Sequence, residues 1–322
     1  MKRHLVLSFA TVVLAAAGAS HAQSYPNRFV TLIVPYAAGG TAEVVGRPLA
    51  SEMAKVLGQN VVVELRPGAG GNIGAELVAK SAKPDGYTLL FASLSLATNV
   101  SLMKLNFDPR KDLTAVAGVA TFPNLLVVGV DTPVKTVADL IMLAKQKPGV
   151  INFGSSGPGT SSHLSGELFK VAAGIDLTHV PYKGSGAVYP DLIGGRINML
   201  FDLMGSAIGF VQGGKVRAIA TTSKRRSASL PDVPTIAESG FPGFEFGAWL
   251  GTFAPVGTPR EAIGRIEQAT IQALQNATLK ERFAQMAAEP IPVHATEFGK
   301  FFNDDVERFA RLVREGKLAP LQ

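Results

Sequence analysis

The chain has 322 residues, with 31 Lys and Arg against 25 Asp and Glu, no Cys and 47% hydrophobic residues. At roughly 100–200 residues per domain, that length suits two domains with enough apolar material for a packed core. The missing thiols exclude a disulfide scaffold and a zinc ribbon, and the apolar share excludes a disordered chain.

The N-terminus opens with Lys2, Arg3 and His4, continues with an apolar run from Leu5 to Ala17, and ends in small residues around Ser20-His21-Ala22. This pattern predicts a secretory signal over residues 1–22, because the apolar run is too short to span a bilayer. Its removal takes away two cations and no acid, so the formal charge of +6 becomes +4. No later stretch of about 18 apolar residues follows. The mature protein is therefore expected to lie free in the periplasm rather than in the membrane. The one dense basic cluster, Lys224-Arg225-Arg226, has no interleaved aromatic residue for base stacking, so it reads as a solvated loop and no nucleic-acid partner is expected.

Apolar, β-branched runs predict strands at Val30–Val34, Val61–Glu64, Thr88–Ala92, Leu125–Val130, Ile151–Phe153, Ile197–Phe201 and Val216–Thr222. Helical patterns separate them. Thr136 and Asp139 form a capping box ahead of Val137, Leu140, Ile141 and Ala144, and Pro148-Gly149 close that helix. Thr258-Pro259-Arg-Glu261 predicts a second capped helix with Pro at its first position. Alternation of strands and helices indicates α/β architecture with helices on both faces of mainly parallel sheets.

In such sheets ligands bind beyond the carboxyl ends of strands, where helix N-termini present unpaired N–H groups. Two loops after strands are rich in Gly, Ser and Thr: residues 35–43, and residues 154–163 ahead of a helix carrying Leu164, Leu168 and Val171. Small residues admit a ligand close to the backbone, and each helix start carries roughly half a positive charge, which suits a carboxylate. Tight turns without a ligand are the alternative reading.

At these loops the sequence resembles the Bug receptors, the extracytoplasmic solute-binding proteins of tripartite tricarboxylate transporters. The likeness rests on Val34-Pro-Tyr-Ala-Ala-Gly-Gly40, Arg66-Pro-Gly-Ala-Gly-Gly-Asn-Ile-Gly-Ala-Glu76, Pro84-Asp-Gly-Tyr-Thr-Leu89, residues 152–163, Val180-Pro-Tyr-Lys-Gly184, Gly194-Gly-Arg196 and Leu230-Pro-Asp-Val-Pro-Thr235. It covers essentially the whole mature chain. The resemblance implies a two-lobed, type II-like periplasmic-binding-protein fold, each lobe a mixed, mainly parallel sheet flanked by helices, closing on a small organic acid. It implies a first lobe of residues 24–123 plus 246–322 and a second of 124–245, with hinges at Phe122-Pro-Asn124 and Phe244-Glu-Phe246. A monomer with no cofactor, working with large and small membrane subunits, is expected.

The resemblance further implies that one carboxylate is pinched between Tyr36, Ala38, Gly39, Gly40 and Thr41 on the first loop and Ser155, Gly159, Thr160, Ser161 and His163 on the second. The far end of the ligand should meet Ser93, Ser95, Asn99, Lys183, Gly184 and Asp202. Glu43 stands where the family often has Asp, which weakens a preference for amino acids. Pro48 falls within the helix after the first loop, so that helix is expected to kink or to begin near Gly46. Trp249, the single Trp, is expected in the core beside a return crossover.

Three other functions compete. An exported serine hydrolase would use a serine of the second loop with His163 as base, but the pattern Gly154-Ser-Ser-Gly157 is not Gly-x-Ser-x-Gly and no acid is placed to orient the histidine. A dinucleotide enzyme would need a third glycine that Gly68-Ala-Gly70-Gly-Asn-Ile73 lacks. A ligand-binding sensor for a membrane signalling protein is compatible with the resemblance. His163, His179 and His294 are the only mature histidines and show no metal-ligand spacing.

Overall fold

The computed structural model describes residues 25–321 apart from 290, 292 and 317, so the expected signal segment lies outside the described residues. Two curled sheets share one long strand. The first runs in the order β2 (Val61–Leu65), β1 (Val30–Val34), β3 (Thr88–Ser93), β9 (Gly247–Pro255) and the first part of β4 (Leu113–Gly129). The second joins the remainder of β4 to β8 (Val216–Thr221) on one side and, on the other, to β7 (Met199–Leu203), β5 (Asn152–Ser155) and β6 (Thr178–Pro181). The outer pairs β1–β2, β1–β3, β5–β6 and β5–β7 are parallel, whereas every pair involving β4 or β9 is antiparallel.

β4 changes partners along its length. Leu113 to Pro123 pair with β9, and Asn124 to Gly129 pair with β7 and β8. Pro123 has no N–H for a ladder, and it occupies the point where one set of partners ends and the other begins.

Helices cover both faces of each sheet. α1 (Thr41–Leu57) and α9 (Arg260–Leu274) bury Val45, Leu49, Met53, Ile266 and Ala269 against β1, β3 and β9. On the opposite face, α3 (Ser95–Leu102) and α11 (Ala295–Arg314) pack Leu96, Phe298, Phe302 and Phe309 around Trp249. Trp249 is buried, and its indole N–H donates to Asp305 Oδ2 at 2.8 Å, so it belongs to the core on the crossover strand, as expected from the sequence. The second sheet carries α5 (Val137–Gln146) and α6 (Ser161–Ala173) on one face, and α7 (Tyr189–Ile193) and α8 (Met204–Gln212) on the other. Shorter elements complete the order: α2 (Asn72–Glu76), α4 (Pro109–Asp112) and α10 (Ala277–Gln285). Among the described residues no helix is long and apolar enough to cross a membrane.

Most local expectations hold. The Thr136–Asp139 capping box forms with both reciprocal bonds, and α5 ends before Pro148. Two do not. Of the two outcomes expected at Pro48, the later start is not found: α1 runs from Thr41 through Pro48, so the helix neither starts near Gly46 nor lengthens the first loop. The missing N–H of Pro48 costs one helical bond. Burial of Val45, Leu49 and Met53 on either side outweighs that loss, at about 1.5–3 kcal/mol for each large apolar side chain. At α9 the helix begins at Arg260 with Pro259 as its cap, and the Thr258 hydroxyl donates back to the Pro255 carbonyl at 2.7 Å instead of capping the helix.

Candidate ligand-binding site

The starts of α1, α6 and α8 converge on one cavity between the two sheets. From the first-sheet side it is lined by Tyr36, Gly40, Thr41, Ala42, Ser93 and Leu250. From the second-sheet side come Ser156, Thr160, Ser161, Ser185, Asp202 and Leu203. The cavity encloses about 30 Å³, room for one or two waters. Larger hollows lie on the outer surface, one of them along the crossover strands, but none of those joins the two glycine-rich loops.

Local sequence builds each wall. Gly40 is the extended cap of α1, and the first-turn N–H groups at Thr41 and Ala42 have no carbonyl one turn earlier to bond. Thr160 caps α6, accepting the His163 N–H at 3.4 Å while its own hydroxyl donates to the Gly157 carbonyl at 2.6 Å. Ser162 bonds the Phe201 carbonyl, and the Asn124 amide donates to Ser165 at 2.9 Å, so the start of α6 is fixed to β7 and to the crossover. Two helix starts aimed at one buried space supply the donors and the positive potential that an anion needs without an arginine.

The walls touch one another across the cavity. Ala37 N–H donates to the Lys183 carbonyl at 3.1 Å. The Thr98 hydroxyl donates to the Gly159 carbonyl at 2.6 Å. Thr41 Oγ1 accepts the Ser206 N–H at 2.9 Å and lies 3.1 Å from the Ser206 hydroxyl. Side chains would not fit in this seam. A Cβ on Gly70 would lie 2.1 Å from the Pro158 carbonyl, and one on Gly186 would lie 1.9 Å from the Ala38 carbonyl. The cleft is shut.

Asp202 is the charged residue of the lining. It is 2% exposed; its Oδ2 accepts the Ser206 hydroxyl at 2.5 Å and the Tyr189 hydroxyl at 2.8 Å. Burial raises its pKa to about 6, although hydrogen bonds from Ser206 and Tyr189 oppose the shift by favouring the ionised form. Tyr36 is held by a 2.7 Å bond to Ser95, and burial raises its pKa as well.

The predicted site residues divide into lining and support. Tyr36, Gly40, Thr41, Ser93, Thr160, Ser161 and Asp202 line the cavity. Ser95 and Asn99 stand behind it: Ser95 on Tyr36, and Asn99 with its amide donating to Asn72 at 3.0 Å and its Oδ1 facing Gly159. Ala38 and Gly39 are exposed at the rim. Gly159 and Gly184, both at positive φ, shape the opposing loops. Glu43 turns outward, accepting the Gly39 N–H at 2.7 Å and pairing with Arg47, so it braces the first loop and does not reach the cavity. Lys183 is exposed and meets the first loop through its carbonyl.

Ser155 and His163 belong to the support as well. The Ser155 hydroxyl lies 2.6 Å from His179 Nε2 and accepts the Gly157 N–H at 3.1 Å, while Ser156 faces the cavity instead. His163 accepts the Gly159 N–H through Nδ1 at 3.3 Å and stacks on His179 with ring centroids 4.1 Å apart. A Ser–His pair therefore exists, but with His179 rather than His163. The Ser155 hydroxyl is fully buried and does not line the cavity. Sequence reasoning missed Ala42, Ser156, Ser185, Leu203 and Leu250. Ala42 and Ser156 lay within the two loops singled out from the sequence, and Ser185 carried a signal as a hydroxyl directly after the Gly184 turn.

Comparison with known proteins places this geometry. The family model described as the tripartite tricarboxylate transporter family receptor, TctC, matches residues 45–318. Protein BugT of Bordetella pertussis is 36% identical over 316 residues, covering 96% of this chain and 97% of that protein. Among solved structures, Rpa4515 of R. palustris with adipate is 34% identical with a TM-score of 0.86, covering 92% of this chain and 100% of that one. MatC of Rhodopseudomonas palustris with bound malate is 33% identical with a TM-score of 0.84, covering 90% and 100%. These likenesses extend across both sheets and the cavity between them, so the chain belongs to the TctC family of tripartite tricarboxylate transporter receptors.

Proposed function

We propose that the protein is a periplasmic receptor that captures a small organic carboxylate between two lobes and presents it to the large and small membrane subunits of a tripartite transporter, binding without turnover. The observation that carries this reading is the convergence of two Gly/Ser/Thr loops, each opening a helix, on one buried cavity. The carboxylates held by the two solved relatives support it, as does the signal-like N-terminal sequence.

The lobes in this reading are residues 24–123 plus 246–322 and residues 124–245. The partner change in β4 at Pro123 and Asn124 supports a hinge there, with Phe244-Glu-Phe246 as its counterpart ahead of β9. A ligand favours the shut form only by touching both lobes better there than when they are parted.

Thr160 and Ser161 carry the test. Thr160→Val and Ser161→Ala should each weaken carboxylate binding by about 1 kcal/mol, roughly fivefold, with Thr160→Val also lowering stability by about 1 kcal/mol through loss of the α6 cap while the protein still folds. Isothermal titration of each variant against a panel of small carboxylates gives the answer. Unchanged affinity in both would remove the second loop from the site.

A further inference from the structure

The cavity presents many neutral donors and one acid. Among the described residues that line it there is no Lys, Arg or His, and the single ionisable carboxyl is Asp202. Lys183, expected from the sequence to meet the far end of the ligand, is exposed at the rim and contributes its carbonyl to the seam. Glu43 is turned away and paired with Arg47. The helix starts of α1 and α6 can neutralise one carboxylate, whereas the start of α8 already faces the Asp202 carboxylate, to which Ser206 in its first turn donates.

Resting on the carboxylate-receptor reading above, we infer that the ligand is a small monocarboxylate bearing a hydroxyl or ammonium donor directed at Asp202, and that Asp202 discriminates against a second free carboxylate. Two hydroxyls, from Tyr189 and Ser206, already donate to Oδ2. These bonds fix the carboxyl group in place and favour its charged form. A ligand donor would add a charge-assisted hydrogen bond to a buried anion. A ligand carboxylate there would instead set two like charges side by side in a space from which water is largely excluded. The rest of the lining agrees. Leu203 and Leu250 suit a short hydrocarbon chain. The selectivity thus comes from a repulsive element as much as an attractive one.

The test uses four acids of one chain length: butyrate, hydroxybutyrate, aminobutyrate and succinate, the substituted acids taken at each carbon position. Isothermal titration at pH 7.5 should give at least tenfold tighter binding of a hydroxy or amino acid than of succinate. Asp202→Asn keeps the size and the bonds from Tyr189 and Ser206 while removing the charge, and should narrow that gap to threefold or less. Its melting temperature checks that it folds; the wild-type ranking stands independently of it. Succinate binding as tightly as the substituted acids, or a gap unchanged in Asp202→Asn, would overturn the inference and leave the receptor reading intact. Failure of the wild-type protein to bind any of these acids, or any acid of the wider carboxylate panel, would overturn both.

Discussion

His163 and His179 stack face to face behind the second loop, and neither can charge without cost. Burial lowers both pKa values to about 4; Lys170 adds to the effect on His163, and the neighbouring His163 and then Lys170 add to it on His179, where Glu167 opposes. Both rings also have structural work in the neutral form, since His163 accepts the Gly159 N–H and His179 meets the Ser155 hydroxyl. The unfolded chain binds these protons near pH 6.5 and the folded chain only near pH 4, so stability is full above 6.5 and is lost as pH falls towards 4. Both histidines contribute to that loss, His163 more than the half-buried His179, whose share solvent screening reduces. Asp202, raised to about 6 by burial, works the other way, because its folded form holds a proton that the unfolded form has released. Two histidines outweigh one aspartate. Urea unfolding between pH 6.5 and 4.5 should therefore show falling stability, and His179→Gln should make that slope shallower. An unchanged slope in the variant would assign the acid sensitivity to other groups. The sequence made His163 visible as a site candidate, but it could not pair it with His179, because the partners come from α6 and β6, whose packing against each other is a tertiary contact.

The same limit applies to loops and strands. The two glycine-rich loops were legible because Gly, Ser and Thr clusters after a β-branched run carry their own turn chemistry. The short turn of residues 185–187 that docks against the first loop was not, since its meaning lies in what it touches. Gly186 is not in the left-handed region, so alanine suits its backbone, but a Cβ there would meet the Ala38 carbonyl at 1.9 Å across the seam. Gly186→Ala should leave thermal stability unchanged in the parted state and lower carboxylate affinity tenfold or more, because closure becomes strained. Titration calorimetry beside a melting curve tests this, and native affinity would mean that the turn and the loop never approach so closely with ligand bound. β9 and the first part of β4 escaped the strand pattern because they are rich in Ala and Gly, which have low β propensity, and because Pro123 reads as a breaker. Gly251 illustrates the reason: a Cβ there would press on the Phe298 ring at 2.1 Å, so the strand gives up propensity to let α11 pack.

For the whole molecule, β4 runs through both sheets while β9 brings the chain back into the first, and the site lies where the sheets face each other. A cavity of about 30 Å³ holds water but is too tight for a four-carbon acid to enter without movement, so the proposed binding cycle requires the lobes to part and close again. Small-angle scattering should show a larger radius of gyration without ligand than with it, and Gly186→Ala should stay expanded at ligand concentrations that compact the wild-type protein. A radius that does not respond to a bound carboxylate would argue for a rigid receptor. The amino-acid sequence by itself determined the α/β alternation, most helix ends and the two ligand-loop candidates, because periodicity, capping and turn chemistry act within a few residues. It did not determine that Ser156 faces the cavity while Ser155 turns to His179, or that Glu43 points out and Asp202 in. Successive side chains of a strand point to opposite faces, and which face becomes a cavity depends on the sheets and helices packed on either side. Only the tertiary structure, by bringing residues more than a hundred positions apart within bonding distance as it does Thr41 and Ser206, decided that.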